Sequence, residues 1–457
     1  MTNRAVPLSA TAHARRTSVR RAALALALSA AVAGVPPARS GDKDVVPEDL
    51  LAWRAAFARP ASVPVADAAD LSPARIELGR RLFEDPRLSA NGLLSCASCH
   101  DSKLSFADGV ALGKGIAGTP LARHTPMLWN LAWGRTLFWD GRAASLEEQA
   151  RGPIENPLEM GSTVTKAVAG VSSDATMRTA FAAAFPERPQ VSEDNLLAAL
   201  AAFERTLVSP ETRFDHWVKG DDGALTSEEL AGFRLFTGKA GCVSCHSGWR
   251  FTDEAFHDIG LAGEDKGRGA ILGLAAADHA FKTPSLRELA WTAPYMHDGS
   301  LATLEEVVDH YVSGVRDRPT LSADLPRGLS LTAEERAQLV AFLNALSSDD
   351  PPRAASLPPT VQASAPEPGV SATTVSQKNK TFAPGSIRLV AGTGLTIVND
   401  DTRTHNVRVD DPRLAYNSAA QEPGDKVVLT FGEPGFYTVT CGIHPQMRLT
   451  VEVSRAE

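Results

Sequence analysis

Five cysteines constrain this chain more than any other feature of its 457 residues. Cys96 and Cys99 stand in C-A-S-C-H, which ends at His100. Cys242 and Cys245 stand in C-V-S-C-H, which ends at His246, and Cys441 opens C-G-I-H-P-Q-M. Cys-x-x-Cys-His is the attachment signature of a c-type haem: the two thiols add to the porphyrin vinyl groups, and the adjacent histidine becomes an axial iron ligand. One such motif could equally be a zinc half-site or a redox dithiol. Two of them in a helical, loop-rich chain with an export signal point to haem. Cys441 has the ligand spacing of a blue-copper site. No cysteine is then left for a disulfide, and the expected cofactors are two covalently bound haem c groups and one type 1 copper.

A chain of this length exceeds what one core supports, and several domains are expected. The net charge of −8, with no basic cluster beyond the N-terminus, disfavours nucleic acid as a partner. At the N-terminus, Arg15, Arg16, Arg20 and Arg21 precede a short apolar run over 22–35, and Ala38-Arg39-Ser40 is an acceptable cleavage site. The run is shorter than the roughly 20 residues that span a bilayer, which favours a cleaved signal peptide over a retained anchor. Thr17-Ser18-Val19 matches a twin-arginine signal poorly, so the general secretory route is expected. Periplasmic location follows, because c-type haems are attached outside the cytoplasm; no stable membrane span is expected elsewhere.

The pattern divides the chain as 1–40 signal peptide, 41–215 first haem domain, 216–350 second haem domain, 351–372 linker and 373–457 copper domain. The two haem domains are expected to be mainly α-helical. Helical periodicity is clearest at 192–207, 227–236 and 332–346, where Thr332 and Glu335 form a capping box. The Pro/Ala/Ser-rich stretch 351–372 reads as a semi-extended linker. Beyond it the apolar period changes to two. Runs at 387–389, 395–398, 407–409, 427–431, 437–440 and 449–453 then predict a small β-sandwich. Apart from the two haem motifs, no internal repeat is evident.

The motifs C-A-S-C-H, R-H-T-P-M-L-W-N, L-F-W-D-G-R-A-A-S-L-E-E-Q-A, G-P-I-E-N-P-L-E-M-G, F-K-T-P-S-L-R-E-L and T-A-P-Y-M-H-D-G-S-L-A-T-L-E-E-V-V-D-H-Y span roughly residues 70–348. Together they resemble the bacterial di-haem cytochrome c peroxidase family, which includes the MauG-like enzymes. The resemblance implies a peroxidatic haem at His100 and an electron-transfer haem at His246. By motif position, Glu159 is the distal acid–base residue, Gln149 its pocket neighbour and Trp139 the relay between the haems. A carboxylate suits peroxide cleavage because it can take a proton from one oxygen and return it to the other.

Two departures from the family pattern matter. The loop 101–123 has no histidine to gate the first iron, which is therefore expected to be open, as in the MauG-like branch. His124 stands where the family has a calcium-binding asparagine. This puts an inter-haem Ca2+ in doubt, although Thr292 and Pro294, whose carbonyls would share it, are present. At the second haem, Tyr311 occupies the position where many members place a methionine. Met296 is the alternative distal ligand, with His310, His297 or water also open. A tyrosinate would favour Fe(III), a thioether Fe(II).

His405 follows N-D-D-T-R-T, and Cys441, His444 and Met447 follow a predicted strand. This set resembles the cupredoxins, and the short C-x-x-H-x-x-M loop resembles amicyanin. A thiolate and two imidazoles would form the trigonal plane, with the thioether as a weak axial ligand. Strands 395–399 and 436–440 are expected to bring His405 beside the C-terminal loop.

These expectations combine into an exported peroxidase that reduces hydrogen peroxide. Its electrons would pass from copper through the second haem and Trp139, and the linker would raise the local concentration of the donor. An external one-electron donor (a small cytochrome c, a cupredoxin or a quinol-linked carrier) must reload the copper. The alternative is a MauG-like oxidase acting on a protein or small-molecule substrate, and a third is a non-catalytic electron carrier. A homodimer is compatible with the family.

Overall fold

The computed structural model describes residues 48–455 apart from residue 66 and residues 353–360 and 363–368. The expected signal peptide and most of the linker lie outside the described residues. Among the described residues, no helix is long and apolar enough to cross a membrane. The architecture is two helical bodies followed by a β-sandwich, all within one compact unit.

Each helical body is built on one close helix pair. In the first, Pro73–Phe83 packs on Glu193–Arg205; Ser72 caps the former by accepting from the Arg75 N–H, and Pro73 suits the first helical position. The helices touch at Gly79, where a Cβ would lie 1.9 Å from the Ala199 carbonyl oxygen. In the second, Ser227–Thr237 packs on Ala333–Asn344 in the same manner. There a Cβ on Gly232 would lie 1.9 Å from the Gln338 oxygen. The capping box expected at Thr332 and Glu335 is present. The first core includes Leu82, Phe83, Trp129, Phe181 and Leu200. The second includes Phe214, Phe233, Phe251 and Phe342, and also Leu50 and Phe57 from the helix Glu48–Phe57, which is first in the sequence but packs here.

The bodies repeat each other beyond their haem motifs. Leu131–Trp133 and Leu289–Trp291 are matching 3₁₀ turns, preceded by Asn130 and Glu288 at φ 62° and 63°. The bridges Leu137–Ala143 and Tyr295–Leu301 match as well, with Gly141 and Gly299 at φ 67° and 64°. Trp139 and His297 hold equivalent places in these loops and meet edge to face, ring centroids 6.5 Å apart. This duplication corrects the expectation of no further repeat.

The C-terminal domain is a sandwich of a six-stranded and a four-stranded sheet. All six predicted strands are present, and Val370–Ser371, Thr374–Lys378, Thr381–Ala383 and Leu414–Asn417 are added. One detail differs from expectation. Gly394–Asn399 lies in the four-stranded sheet, away from Gly435–Thr440. Gly435–Thr440 pairs with Arg448–Ser454 on one side and Arg408–Asp411 on the other, and the second pairing, with Arg408 opposite Thr440, brings His405 next to Cys441.

The sandwich is docked on the helical bodies. Leu272 and Leu274 pack against its core. Lys380 reaches Asp253 and Asp324 at 3.2 and 2.8 Å, and Arg403 also pairs with Asp324.

Candidate haem and copper sites

Cys96 and Cys99 lie on a 3₁₀ turn whose N-cap, Ser95, exchanges hydrogen bonds with Ser98. The turn delivers His100 with its Nδ1 2.9 Å from the Phe106 carbonyl oxygen. That bond fixes Nδ1–H and leaves Nε2 as the free ligand nitrogen. The second motif repeats the device: Cys242–Ser244 is a 3₁₀ turn, and His246 Nδ1 lies 2.9 Å from the Phe251 oxygen. Burial pushes the thiols of Cys96, Cys99 and Cys242 up, the opposite of what a reactive dithiol needs. Both motifs line one cavity of about 1040 Å³, whose walls are mainly apolar. Paired cysteines, a histidine with one committed nitrogen and a shared apolar cavity fit two covalent haems.

Glu159 and Gln149 both line this cavity, as expected of distal residues. Gln149 projects from the helix Leu146–Glu155, and Glu159 sits in the turn that follows it. Asn156 Nδ2 donates to Glu159 Oε1 at 2.7 Å, which leaves the other oxygen uncommitted. Burial raises the Glu159 carboxyl above its ordinary range, against smaller opposing effects of Asn156 and Arg142. The loop 108–120 closes over this turn: the Ile116 N–H donates to the Glu159 carbonyl at 2.8 Å. Trp139 also lines the cavity, pinned by its indole N–H to the His124 carbonyl at 2.9 Å. The His124 ring nitrogen Nδ1 is taken by the Val110 carbonyl, so this residue braces the Trp139 loop.

Tyr311 lies on a π-helical turn, His310–Gly314, and lines the cavity that Cys242 and Cys245 also line; burial pushes its phenol up. Single π turns of this kind are common at functional sites. Met296 and His297 also line the cavity, but His297 is stacked on Phe281 at 3.5 Å. His310 is committed through Nε2 to the Ile259 carbonyl at 3.0 Å and is not part of the cavity wall. Thr292 and Pro294 line the cavity too.

In the sandwich, His405, Cys441 and His444 converge, all buried. Cys441 Sγ lies 3.8 Å from His405 Nδ1 and 3.7 Å from His444 Nδ1, and the two nitrogens are 3.0 Å apart. The point equidistant from three such corners is about 2 Å from each, the length of an imidazole–metal bond. The Asn406 N–H points at the sulfur at 3.4 Å, and Met447 is buried in the same core. Burial and the neighbouring His405 push the His444 imidazole well below its ordinary range, which keeps it a neutral ligand. This donor set fits type 1 copper.

Several residues of the sites carry no sequence signal. Asp401 accepts from His405 Nε2 at 3.1 Å and orients that ligand. Arg268 donates to the Gly442 carbonyl at 2.8 Å, between two copper ligands, and also to the carbonyls of Asp140 and Gly141 beside Trp139. The Phe256 N–H donates to the Ile443 carbonyl at 3.2 Å. Glu204, buried near Cys96, has one oxygen without a partner and is pushed up to about 8 by burial.

The family profile described as di-haem cytochrome c peroxidase matches residues 73–223. The chain is 47% identical over 324 residues to the methylamine utilization protein MauG of Methylorubrum extorquens, covering 70% of this chain and 91% of that protein. It is 37% identical to the cytochrome c551 peroxidase of Nitrosomonas europaea, covering 60% and 80%. A solved MauG-like protein associated with microbial copper homeostasis is 36% identical, with a TM-score of 0.60 over 66% of this chain and 95% of that one. Relatives of both kinds name the family without separating its reactions. The chain belongs to the di-haem cytochrome c peroxidase/MauG family, and beyond the helical bodies it carries a β-sandwich that holds the buried set His405, Cys441 and His444.

Proposed function

We propose that this is an exported di-haem peroxidase that reduces hydrogen peroxide to water, drawing electrons through its own copper domain and the second haem. The observation that carries this reading is the seating of the copper loop. Gly442 and Ile443, between the ligands Cys441 and His444, are hydrogen-bonded by Arg268 and Phe256 of the haem-bearing part. The copper centre is thus built into the face next to the second haem motif, which suits an internal donor.

When bound, the haems supply the iron that takes peroxide and the electrons that reduce it. The chain supplies the rest. Glu159, held by Asn156 and raised by burial, accepts a proton from peroxide and returns it to the departing oxygen. Gln149 faces the same space and orients the substrate. Trp139, fixed by the His124 carbonyl and by the Lys282 N–H on its own carbonyl, bridges the two motifs. The reaction consumes two electrons and two protons per peroxide and yields two waters. Copper carries one electron at a time, so an external one-electron donor reloads it between passes.

Tyr311 favours a second reading. Tyr311 lines the cavity of the second haem motif, and a tyrosinate there would stabilise Fe(III), which suits a MauG-like oxidase that withdraws electrons from a protein or small-molecule substrate. Rapid mixing of peroxide with holoprotein holding ferric haems and Cu(I) separates the two. Appearance of the blue Cu(II) band at the turnover rate, lost in Glu159→Gln, is expected for the peroxidase. Persistent haem spectral changes with copper still Cu(I) would overturn it in favour of the oxidase.

A further inference from the structure

A short strand, Phe256–His257, separates the copper loop from the second haem motif. Phe256 bonds to the Ile443 carbonyl, one residue before the copper ligand His444. His257, the next residue, is buried and holds a ring nitrogen within 4.8 Å of Cys245 Sγ, the sulfur expected to carry the second haem. Both ring nitrogens are occupied: Nε2 lies 2.9 Å from Asp253 Oδ2, and Nδ1 lies 3.0 Å from Ser322 Oγ. Asp253 in turn is anchored by its own N–H on the Cys245 carbonyl at 2.7 Å. From the copper domain, Lys380 closes the arrangement on Asp253 and Asp324. His257 is thus one residue away from a hydrogen bond to the loop that carries His444. Cys245, Asp253 and His257 would pass as a metal cluster by distance, but a thioether sulfur has no charge to offer a cation.

We propose that His257 is a positioning residue for electron exchange between the copper and the second haem. Its doubly pinned ring fills the gap between the His444 loop and the Cys245 thioether and keeps the two centres in contact through packed, hydrogen-bonded atoms. In this step one electron leaves Cu(I), giving Cu(II), and reduces the second haem from Fe(III) to Fe(II). No bond forms or breaks, and no proton moves. The inference rests on the copper route proposed above and names the residue through which that route runs.

The test uses holoprotein with both haems and copper. A radical pulse reduces Cu(II), and return of the blue absorption then reports the electron leaving for the ferric second haem. His257→Phe keeps the ring and loses both hydrogen bonds. It should slow this transfer by about tenfold or more, the scale on which outer partners of a metal centre act. The Cu(II) EPR spectrum should be unchanged, and His257→Gln should recover part of the rate. An unchanged rate in His257→Phe overturns the inference and leaves the copper route standing. So does a slowed rate that scales with solvent viscosity, because that reports a loosened domain. Absence of any copper-to-haem transfer in the wild-type protein overturns the route itself.

Discussion

Gly115→Ala should disable the proposed peroxide reduction without replacing Glu159 or any residue expected to hold a haem. Gly115 lies in the loop that closes over the distal turn, and a Cβ there would stand 1.6 Å from the Leu158 carbonyl oxygen and 3.0 Å from Glu159 Cα. Ordinary carbon–oxygen contacts are about 3.4 Å, so the two strands of chain must part by about 1.8 Å. The Ile116–Glu159 hydrogen bond of 2.8 Å cannot survive such a shift unstretched, and the Glu159 carboxyl moves with its backbone. A misplacement of about 1 Å at a catalytic group can cost about 100-fold. Steady-state peroxide reduction, normalised to haem and copper content, should therefore fall about 100-fold in kcat/KM. The double variant with Glu159→Gln should be no worse than Glu159→Gln alone, because both remove one function. Wild-type turnover in Gly115→Ala, or losses that multiply in the double variant, would refute the claim that this loop places Glu159.

Three further outcomes follow from the same geometry. Because burial raises the Glu159 carboxyl above 4.5, activity that needs its carboxylate should fail as pH drops through that raised value; the acidic limb of kcat/KM should lie above pH 4.5 and vanish in Glu159→Gln. Asp401→Asn should weaken copper binding by about 10–100-fold in chelator competition, because it loses the carboxylate that orients His405. Arg287→Met should lower stability by about 3–5 kcal/mol in urea melts, because Arg287 meets Asp215 through two bonds of 2.7 and 2.8 Å and both are fully buried. Burial alone would raise Asp215, but Arg287 and Arg59 outweigh it and hold it low, so the wild-type contribution persists at neutral pH and is lost as pH falls through that depressed value.

The haem and copper sites were legible because their chemistry demands contiguous residues: attachment needs Cys-x-x-Cys-His, and a short loop carries three copper ligands. Period-two alternation likewise revealed six strands, but it carries no information about strand order, and so the sequence credits 395–399, rather than 408–411, with bringing His405 beside the C-terminal loop. The duplication was readable in Leu131-Ala-Trp and Leu289-Ala-Trp, yet these stand 158 positions apart and the haem motifs 146, so one fixed period conceals it. His257, Arg268 and Asp401 could not be found in the sequence. A histidine after a phenylalanine, or an arginine in a glycine-rich loop, acquires a role only when another domain is laid against it. The linker composition implied a tethered donor but not where it rests, and Leu272, Leu274 and the Lys380–Asp253 pair form that interface.

The proposed copper ligands His405, Cys441, His444 and Met447 are 0, 1, 4 and 1% exposed, under a loop gripped by Phe256 and Arg268. A hydrated ion meets no open path to these side chains while that grip holds. The expected order of maturation is therefore loading first and docking second, and a chain that docks empty should take up copper only as fast as the interface reopens.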